Sequence, residues 1–282
     1  MIDLHVHTTA SDGTDSARAL VEKAAALGLS AISITDHDGT GALAEAAEAG
    51  AALGVEVVPG VELSADYLDG DIHILGYFID PDCEAMRRTE ERTKLWRRER
   101  NERIVQNLAA AGYDISLAEL HDEYPESELG RLHFCDHLVK KGCFPDRASC
   151  FHTLLARGKP FYLEKRRLSP EEAASVILEA GGVPVLAHPL LYGLDWDGLL
   201  DLCDEIKDYG IRHLEAYYSE FSPDERAQLL ALAGGLGFGV TGGSDYHGEN
   251  KPHIALGTGC GDLAVGEWVL ERLRLAATKG KG

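Results

Sequence analysis

The chain has 282 residues, of which 45% are hydrophobic and 26% charged, proportions typical of a folded globular protein and not of a disordered one. Its 27 Lys and Arg against 47 Asp and Glu leave a net charge of −20, which argues against a general nucleic-acid coat protein. No run of residues approaches the roughly 20 apolar residues needed to cross a bilayer.

Short β-type runs alternate with helical patterns along the chain, an arrangement typical of βα units around a parallel sheet. The predicted strands lie at 2–7, 31–35, 55–58, 72–77, 183–187, 212–216 and 238–242. Helices are predicted at 15–27, 40–53, 170–180, 196–208 and 223–235. Since roughly 250 residues suffice for one α/β barrel, the chain is long enough for a single barrel.

A long segment, residues 81–170, separates the fourth and fifth predicted strands. Its pattern is mainly helical, and we interpret it as an insertion at the strand ends, where barrels place binding residues. Residues 83–160 contain 14 Lys or Arg and 13 Asp or Glu, so the rest of the chain has 13 cationic and 34 acidic side chains. The insertion is therefore the natural source of cationic contacts to an anion, although a solvated helical face would have the same composition.

The first strand ends in two histidines that share a face. Alternate residues of a strand point the same way, so His5 and His7 lie opposite Ile2, Leu4 and Val6. Two imidazoles at one strand end form half of a metal site. Asp12 follows in the next loop, within reach of the same strand end.

Five further strands bring a ligand-type side chain to or near an end. These side chains are His37, Glu62, His73, His188, Asp245 and His247. A single residue of this kind usually caps a turn or is a buried structural histidine. Such residues at or near the ends of six strands are instead typical of a metal centre. Asp36 and Asp38 are further candidates, either as ligands or as partners that orient a metal-bound histidine.

The donor types narrow the choice of metal. Imidazole and carboxylate without thiolate suit Zn, Mn, Fe or Co, and not a structural zinc site. One ion takes three or four protein ligands, so nine candidates predict two to three divalent transition metal ions. A carboxylate such as Glu62 can bridge two of them.

The ordered motifs resemble the PHP family, named for polymerase and histidinol phosphatase. They are the opening HxH, the DGT that follows it, the TDHD box at 35–38, the PGxE that ends at Glu62, the HxLGY strand from His73, the AHP at 187–189 and the GSDxH that ends at His247. The resemblance spans nearly the whole chain. In the insertion, residues 130–133 and 158–160 resemble the subgroup that cleaves nucleotide phosphates.

The resemblance implies a distorted (β/α)7 barrel formed by 1–80 and 171–282, with 81–170 as a helical insertion that covers the active site. It also implies three metal positions. The implied ligand sets are His5, His7, Glu62 and Asp245; Glu62, His73 and His188; and Asp12, His37 and His247. Many members have a histidine in place of Asp12, so the third position is expected to be weaker or to favour a harder ion such as Mn. Related sequences often have a histidine where Tyr218-Ser219-Glu220 stand, which puts substrate contacts from this loop in doubt.

A multinuclear centre of this kind suits phosphate esters. Two cations ~3.5–4 Å apart hold a bridging hydroxide as the nucleophile and bind non-bridging phosphate oxygens. We therefore expect a metal-dependent phosphoesterase that acts on nucleotides or sugar phosphates. His188, Asp245 and His247 are the candidate catalytic residues, with His188 or His247 assisting the leaving group.

Arg131, His133 and Lys159 are the candidate substrate-binding residues, since Arg provides a planar fork for phosphate and Lys a point charge. An ordinary salt bridge for Arg131 and a helix-flank position for His133 are the competing structural interpretations. The resemblance to the nucleotide-cleaving subgroup favours the substrate role. The expected partner is a phosphorylated small molecule or a short oligonucleotide, with no membrane and no stable protein partner.

Other activities stay open at this point. A phosphodiesterase for cyclic phosphates or a 5′–3′ exonuclease would use the same centre. An amidohydrolase-type C–N hydrolase also fits a His/Asp barrel, but an amide substrate needs no cationic insertion; a non-catalytic metal-binding module is the third class. Six scattered cysteines without a CxxC pair, and an N-terminus without a signal-peptide pattern, predict a cytoplasmic protein.

Overall fold

A computed structural model describes residues 1–68, 70–125 and 129–279, without the side chain of Lys279. The described chain divides into two compact units. We call residues 1–90 with the described residues from 167 onward the barrel unit, and residues 91–166 the insertion unit. The remaining positions of the predicted domains, 69, 126–128 and 280–282, lie outside the described residues.

The barrel unit contains a seven-stranded sheet whose spatial order follows the chain from β1 to β7. The strands are β1 Ile2–Val6, β2 Ala31–Ile34, β3 Glu56–Tyr67, β4 Gly70–Tyr77, β5 Val183–Leu186, β6 His213–Tyr218 and β7 Gly239–Gly243. The sheet is nearly closed, because the segment after β7 returns to β1. The Asp245 N–H donates to the His5 carbonyl oxygen at 2.8 Å, and the His7 N–H donates to that of Tyr246 at 2.9 Å. The predicted α/β fold with a distorted seven-stranded barrel is confirmed.

Two predictions about the sheet are wrong. The strand predicted at 55–58 continues to Tyr67, and β4 runs antiparallel to both β3 and β5. Only two residues join β3 to β4, and such a short connection can join only antiparallel strands. The other neighbouring pairs are parallel, as predicted.

Helices of the barrel unit begin where the sequence provides caps. They are α1 Ala17–Ala26, α2 Leu43–Leu53, α7 Pro170–Glu179, α8 Trp196–Asp208, α9 Pro223–Leu236 and α10 Glu267–Lys279. Ser16 caps α1, and its side chain accepts a hydrogen bond from the Ala19 N–H. Ser169 and Ser222 open α7 and α9 with full capping boxes followed by proline. All five predicted helices are present, with ends shifted by at most a few residues.

The insertion unit is helical and has a core of its own. A long helix, α3 Glu84–Ala110, leads into it, followed by α4 Leu117–Glu123, α5 Arg131–Lys140 and α6 Arg147–Cys150. Its buried centre includes Ile104, Leu108, Phe134, Leu138 and Leu155. The barrel unit has a separate core around Ile2, Leu4, Leu75 and Val185. None of the helices in the described residues combines the length and the hydropathy that a membrane span requires.

Candidate metal centre

All nine ligand candidates predicted from the sequence come together in the barrel unit. They form four overlapping groups, and within each group one ligand atom of every residue lies within 4.8 Å of the others. The groups are His7, Asp12, His37 and His247; His5, His7 and Asp245; His5, Glu62 and His188; and His37, Glu62 and His73. Four residues belong to two groups each, namely His5, His7, His37 and Glu62. The groups therefore form one continuous centre.

Glu62 and His73 reach this centre because of the antiparallel hairpin. Glu62 lies inside β3, beside His37, with which it forms a parallel bridge just beyond β2. The reversed direction of β4 brings its first half, with His73, to the edge where the parallel strands end. The Ala187 N–H at the end of β5 donates to the His73 carbonyl oxygen at 3.0 Å. A parallel β4 would have placed His73 away from this edge.

The carboxylate of Glu62 is the middle of the centre, and both of its oxygens face histidines. Its side chain is only 1% exposed. Oε2 lies 3.4 Å from His5 Nε2, 3.2 Å from His7 Nε2 and 3.1 Å from His37 Nδ1, and Oε1 lies 2.9 Å from His73 Nδ1 and 3.0 Å from His188 Nε2. The five imidazoles are thus divided between the two oxygens of one carboxylate. This arrangement is expected of a carboxylate that bridges two ions.

Glu215, on β6, orients two of the candidate ligands. Its fully buried carboxylate lies 3.0 Å from His5 Nδ1 and accepts the His188 backbone N–H at 2.9 Å. With Nδ1–H donated to Glu215, His5 presents the lone pair of Nε2 to the centre. The hydrogen bond from the His188 N–H to Glu215 also fixes the backbone of His188, whose φ of 21° is rare for a residue with a side chain.

A second chain of contacts orients His7. His7 Nδ1 lies 3.4 Å from Ser11 Oγ, which donates to Asp36 Oδ1 at 2.6 Å. Asp36 also accepts the backbone N–H and the hydroxyl of Thr8, at 2.8 and 2.7 Å. Asp36 is absent from the ligand groups of the described residues. Its hydrogen bonds instead hold the loop after β1 and, through Ser11, the His7 ring.

Asp38, the other aspartate of the TDHD box, accepts the Ser64 backbone N–H at 3.0 Å. It too is absent from the ligand groups that the described residues form. The contact joins the loop after β2 to β3, two residues beyond Glu62. Asp38 therefore helps to place Glu62 beside His37.

Asp245 divides its two oxygens between the centre and its supports. Oδ1 lies 3.2 Å from His7 Nε2 and 3.4 Å from His247 Nδ1, whereas Oδ2 accepts the Tyr218 hydroxyl at 2.7 Å. Lys251 Nζ lies 2.6 Å from the same Oδ2. One oxygen is therefore available as a ligand while the other is held in place.

His247 and Asp12 form the outer edge of the centre. His247 Nδ1 lies 2.8 Å from the Asp245 carbonyl oxygen, which can only accept, so Nδ1 is the donor and Nε2 keeps its lone pair. That Nε2 lies 3.2 Å from Asp12 Oδ1. Asp12 has a 54% exposed side chain, which makes this edge the most accessible to solvent of the four groups.

Asp71 and Arg167 flank His73 on the opposite side. The Asp71 carboxylate lies 3.7 Å from His73 Nε2 and 3.1 Å from Arg167 Nε. Arg167 also donates to Asp66 at 3.0 Å, so it joins β3 to β4 near the centre. Because Asp71 faces Nε2, His73 directs Nδ1 towards Glu62.

The electrostatics couple the carboxylates and histidines tightly. Burial alone would raise the pKa of Glu62, but the surrounding histidines outweigh it and hold that pKa well below its ordinary value. Burial opposes the charged form of His7, but the neighbouring carboxylates of Asp245 and Glu62 raise its pKa to about 10. Burial lowers the pKa of His37 to about 3, and the neighbouring His7 and His73 add to this effect.

The donor set fits divalent metal ions. Three ring nitrogens that face Glu62 are buried and, like Glu62 Oε2 itself, make no hydrogen bond among the described residues. They are His5 Nε2, His7 Nε2 and His37 Nδ1. Buried polar atoms are nearly always paired, and a cluster of unpaired imidazole and carboxylate atoms is what a metal site requires.

The three predicted substrate-binding residues lie in the insertion unit, each in a defined setting. Arg131 Nη1 donates to the Leu155 carbonyl oxygen at 3.0 Å, and the guanidinium lies 5.3 Å from the ring of Phe151. His133 Nδ1 accepts the Gly130 N–H at 3.0 Å, which caps α5. Lys159 is exposed. Their contacts to a substrate stay a prediction.

The polar residues that support the centre and that the sequence prediction missed include Glu215, Tyr218 and Lys251. Glu215 had a usable signal, since it is a lone carboxylate within a strand whose neighbours Leu214 and Ala216 are apolar. A charged group in such a strand is expensive unless a partner is present. Tyr218 and Lys251 had no comparable signal, because their roles depend on where the chain folds back.

Comparison with known families places the chain among PHP proteins. The PHP domain matches residues 3–156, more than half of the chain. Two solved structures share the fold. One, from Bifidobacterium adolescentis and assigned as a metal-dependent phosphoesterase, has a TM-score of 0.80 and 31% identity over 98% of this chain and 96% of its own. The other, an amidohydrolase from Chromobacterium violaceum with bound sulfate, has a TM-score of 0.76 and 31% identity over 89% and 88%.

Relatives of known activity cleave phosphate esters. The 5′–3′ exoribonuclease Rnm of Escherichia coli is 36% identical over 90% of this chain and 87% of its own. The 3′,5′-nucleoside bisphosphate phosphatase of Chromobacterium violaceum is 33% identical over 89% and 88%. A phosphoribosyl 1,2-cyclic phosphate 1,2-diphosphodiesterase of Eggerthella lenta is 32% identical over 89% and 97%. The chain belongs to the PHP family, and it is a metal-dependent phosphoesterase.

Proposed function

We propose that the protein hydrolyses phosphate esters of nucleotides at the nine-residue centre. The observation that carries this proposal is the single buried carboxylate of Glu62 within 3.4 Å of five histidines. Shared carboxylates suit multinuclear centres, and such centres suit phosphoryl groups, because adjacent cations contact both the attacking and the leaving oxygen. Two of the relatives named above act on nucleotides or RNA, which favours nucleotides over other esters.

The centre is proposed to hold two to three divalent ions, with Mn, Zn or Fe as the candidates. Glu62 would serve two of them, one through each oxygen. The ligand sets implied by the family differ from the geometric groups in two ways. His5, His7 and His37 each lie in two groups, and His73 and His188, which share an implied set, lie in different groups. Exposed Asp12, a hard oxygen donor, favours Mn at the outer position.

The catalytic roles follow from which atoms are already engaged. When bound, the ions would lower the pKa of a water molecule and polarise the phosphoryl oxygens. His247 is held through Nδ1 by the Asp245 carbonyl oxygen, whereas His188 Nδ1 has no hydrogen-bond partner among the described residues. His188 is therefore the better candidate to hand a proton to the leaving oxygen. Asp245 keeps Oδ1 directed into the centre.

Substrate recognition is proposed to involve Arg131, His133 and Lys159 of the insertion unit. Lys159 is exposed, and the His133 Nε2 is not used by the cap that engages Nδ1. Arg131 retains N–H groups beyond the one donated to Leu155. The cationic Arg131 and Lys159 would offset the acidity of a barrel that itself repels phosphate, and His133, neutral because Nδ1 accepts the Gly130 N–H, would donate through Nε2.

The experiment compares substrates on the Mn-loaded protein. A nucleoside 3′,5′-bisphosphate, a 5′-phosphorylated short RNA and a phosphoribosyl cyclic phosphate are each incubated with enzyme and with Glu62→Gln protein as the background. We expect release of phosphate or mononucleotide from the first two substrates. Cleavage of the cyclic phosphate alone would replace the nucleotide proposal by a sugar-phosphate one. No release from any substrate above the Glu62→Gln background would contradict the proposal.

A further inference from the structure

Lys251 lies in a short segment that is fastened to the edge of the centre. Its backbone N–H donates to the Gly248 carbonyl oxygen at 3.2 Å, and its own carbonyl accepts the N–H of buried Ile254 at 3.0 Å. The preceding residue, Asn250, donates its side-chain amide to the Asp12 carbonyl oxygen at 2.7 Å. The position of Lys251 is therefore fixed from both sides.

The Lys251 ammonium and the Tyr218 hydroxyl share one oxygen of Asp245. Their distances to Oδ2 are 2.6 and 2.7 Å. The two groups differ in exposure, because Tyr218 is completely buried whereas the Lys251 side chain is 33% exposed. Tyr218 thus holds Asp245 from the protein interior, and Lys251 holds it from the solvent side.

This arrangement leaves donors of Lys251 unused. An ammonium has three N–H groups, and within the described residues its hydrogen-bond partner is Asp245. Positioning Asp245 would need only one of them, and Tyr218 already provides a neutral donor for that purpose. A strongly hydrated cation at the solvent side of an acidic centre is suited to meet an incoming phosphate.

We propose that Lys251 contacts a non-bridging phosphate oxygen of the substrate, through N–H groups that Asp245 does not use. The proposal rests on the proposed function, since it assumes that a phosphoryl group enters this centre. Lys251 thereby adds to the barrel unit a cationic contact that the sequence pattern did not predict. In the alternative, Lys251 only positions Asp245 and touches no substrate.

Matched substitutions separate these roles. Lys251→Met removes the cation, Lys251→Arg keeps it, and Tyr218→Phe removes the other support of the same Asp245 oxygen without a change of charge. For each protein, Mn content is measured by elemental analysis, and the binding of inorganic phosphate to the Mn-saturated protein is measured by calorimetry. Neither readout requires turnover.

For Lys251→Met we expect phosphate binding weakened roughly ten- to a hundredfold at unchanged Mn saturation, as for loss of one charged hydrogen bond. Lys251→Arg should recover most of this loss. Tyr218→Phe should lower the affinity for Mn and bind phosphate normally once saturated.

The proposal is overturned if Lys251→Met at full Mn occupancy binds phosphate as the unmodified protein does, because Lys251 would then only position Asp245. It stands if phosphate binding depends on Lys251 even though no nucleotide substrate is cleaved, and in that case only the proposed function fails.

Discussion

Glu62 contributes to the centre in a way that no neighbouring residue can replace. Both of its oxygens are buried, and together they face five histidine rings. A carboxylate carries its negative charge over two equivalent oxygens, whereas an amide has one neutral acceptor and one donor. The second oxygen is the feature that allows one side chain to serve two cations.

Removal of a residue that only orients a ligand costs up to roughly 100-fold in metal affinity. Because Glu62 is itself a ligand candidate for two ions, the loss of metal affinity in Glu62→Gln is expected to be larger. Turnover should fall to the background of metal-free protein. Mn titration followed by calorimetry, together with phosphate-release kinetics, checks both results. Glu215→Gln is the matched control, because it changes a buried carboxylate that orients His5 without facing the centre itself, and its loss should be about 10–100-fold. Full Mn content and full turnover in Glu62→Gln would remove Glu62 from the centre.

At the scale of single residues, the sequence predicts the ligand candidates better than the residues that hold them. Histidines and carboxylates near the ends of predicted strands are visible as motifs. Their supports are not, because Ser11, Tyr218 and Lys251 belong to common residue types whose roles appear only when distant segments meet. Glu215 could have been found from the burial expected of its strand.

Among the elements, the hairpin of β3 and β4 differs most from the prediction. Pro59-Gly60 looks like the end of a strand, yet the strand continues through both residues. Pro59 lies opposite Ile34, and a Cβ at Gly60 would collide with the Ser33 hydroxyl, so glycine permits the close approach of β2 and β3. The sequence did contain the signal for reversal, since no helical pattern separates the two predicted strands.

The contact between β1 and β7 also depends on a glycine. A Cβ added at Gly243 would collide with the backbone nitrogen and the Cβ of His5. Gly243→Ala should therefore lower the free energy of unfolding by about 1–3 kcal/mol, the usual cost of overpacking, and weaken Mn binding because His5 is displaced. Gly234→Ala is the control, since nothing lies within 4 Å of its Cβ and alanine favours helix α9. Denaturant unfolding and Mn titration check the pair, and equal stability of both variants would contradict the close packing.

The insertion unit provides a prediction about substrate binding. Arg131→Ala and Lys159→Ala should each lower kcat/KM roughly ten- to a hundredfold, with unchanged Mn content, if each loses one charged contact to phosphate. Arg131 also contacts Leu155 and Phe151, so Arg131→Lys and an unfolding measurement separate lost charge from lost packing. Exposed Lys159 needs no such correction. If neither alanine variant changes the kinetics or the inhibition by inorganic phosphate, the insertion does not hold the substrate.

For the molecule as a whole, metal binding and protonation are coupled. In the metal-free protein, burial disfavours the charged rings, but carboxylate neighbours raise the pKa of His7 to about 10 and that of His73 to about 9. Both rings are therefore positively charged at neutral pH, and a charged histidine must lose one proton before it can bind an ion. The charged rings stabilise the metal-free fold at low pH, and this contribution is lost as the pH rises through 9–10.

Metal binding near pH 7 should consequently release protons, and the affinity for Mn should increase with pH. Calorimetric titrations in two buffers of different ionisation enthalpy measure the number of protons released. Chelator treatment should lower the Tm, because ions bind the folded chain in preference to the unfolded one. An observed binding enthalpy that is the same in both buffers would show that no proton is exchanged and would contradict the coupling.

The most direct test of a Glu62-centred multinuclear site is anomalous scattering from crystals of the Mn-loaded protein. Two or three peaks are predicted, with one oxygen of Glu62 bound to each of two ions and Asp245 Oδ1 among the ligands. The outer peak, beside Asp12, is expected to have the lowest occupancy, because that ligand is the most exposed. A single peak, or Glu62 bound to no ion in fully loaded crystals, would contradict the account.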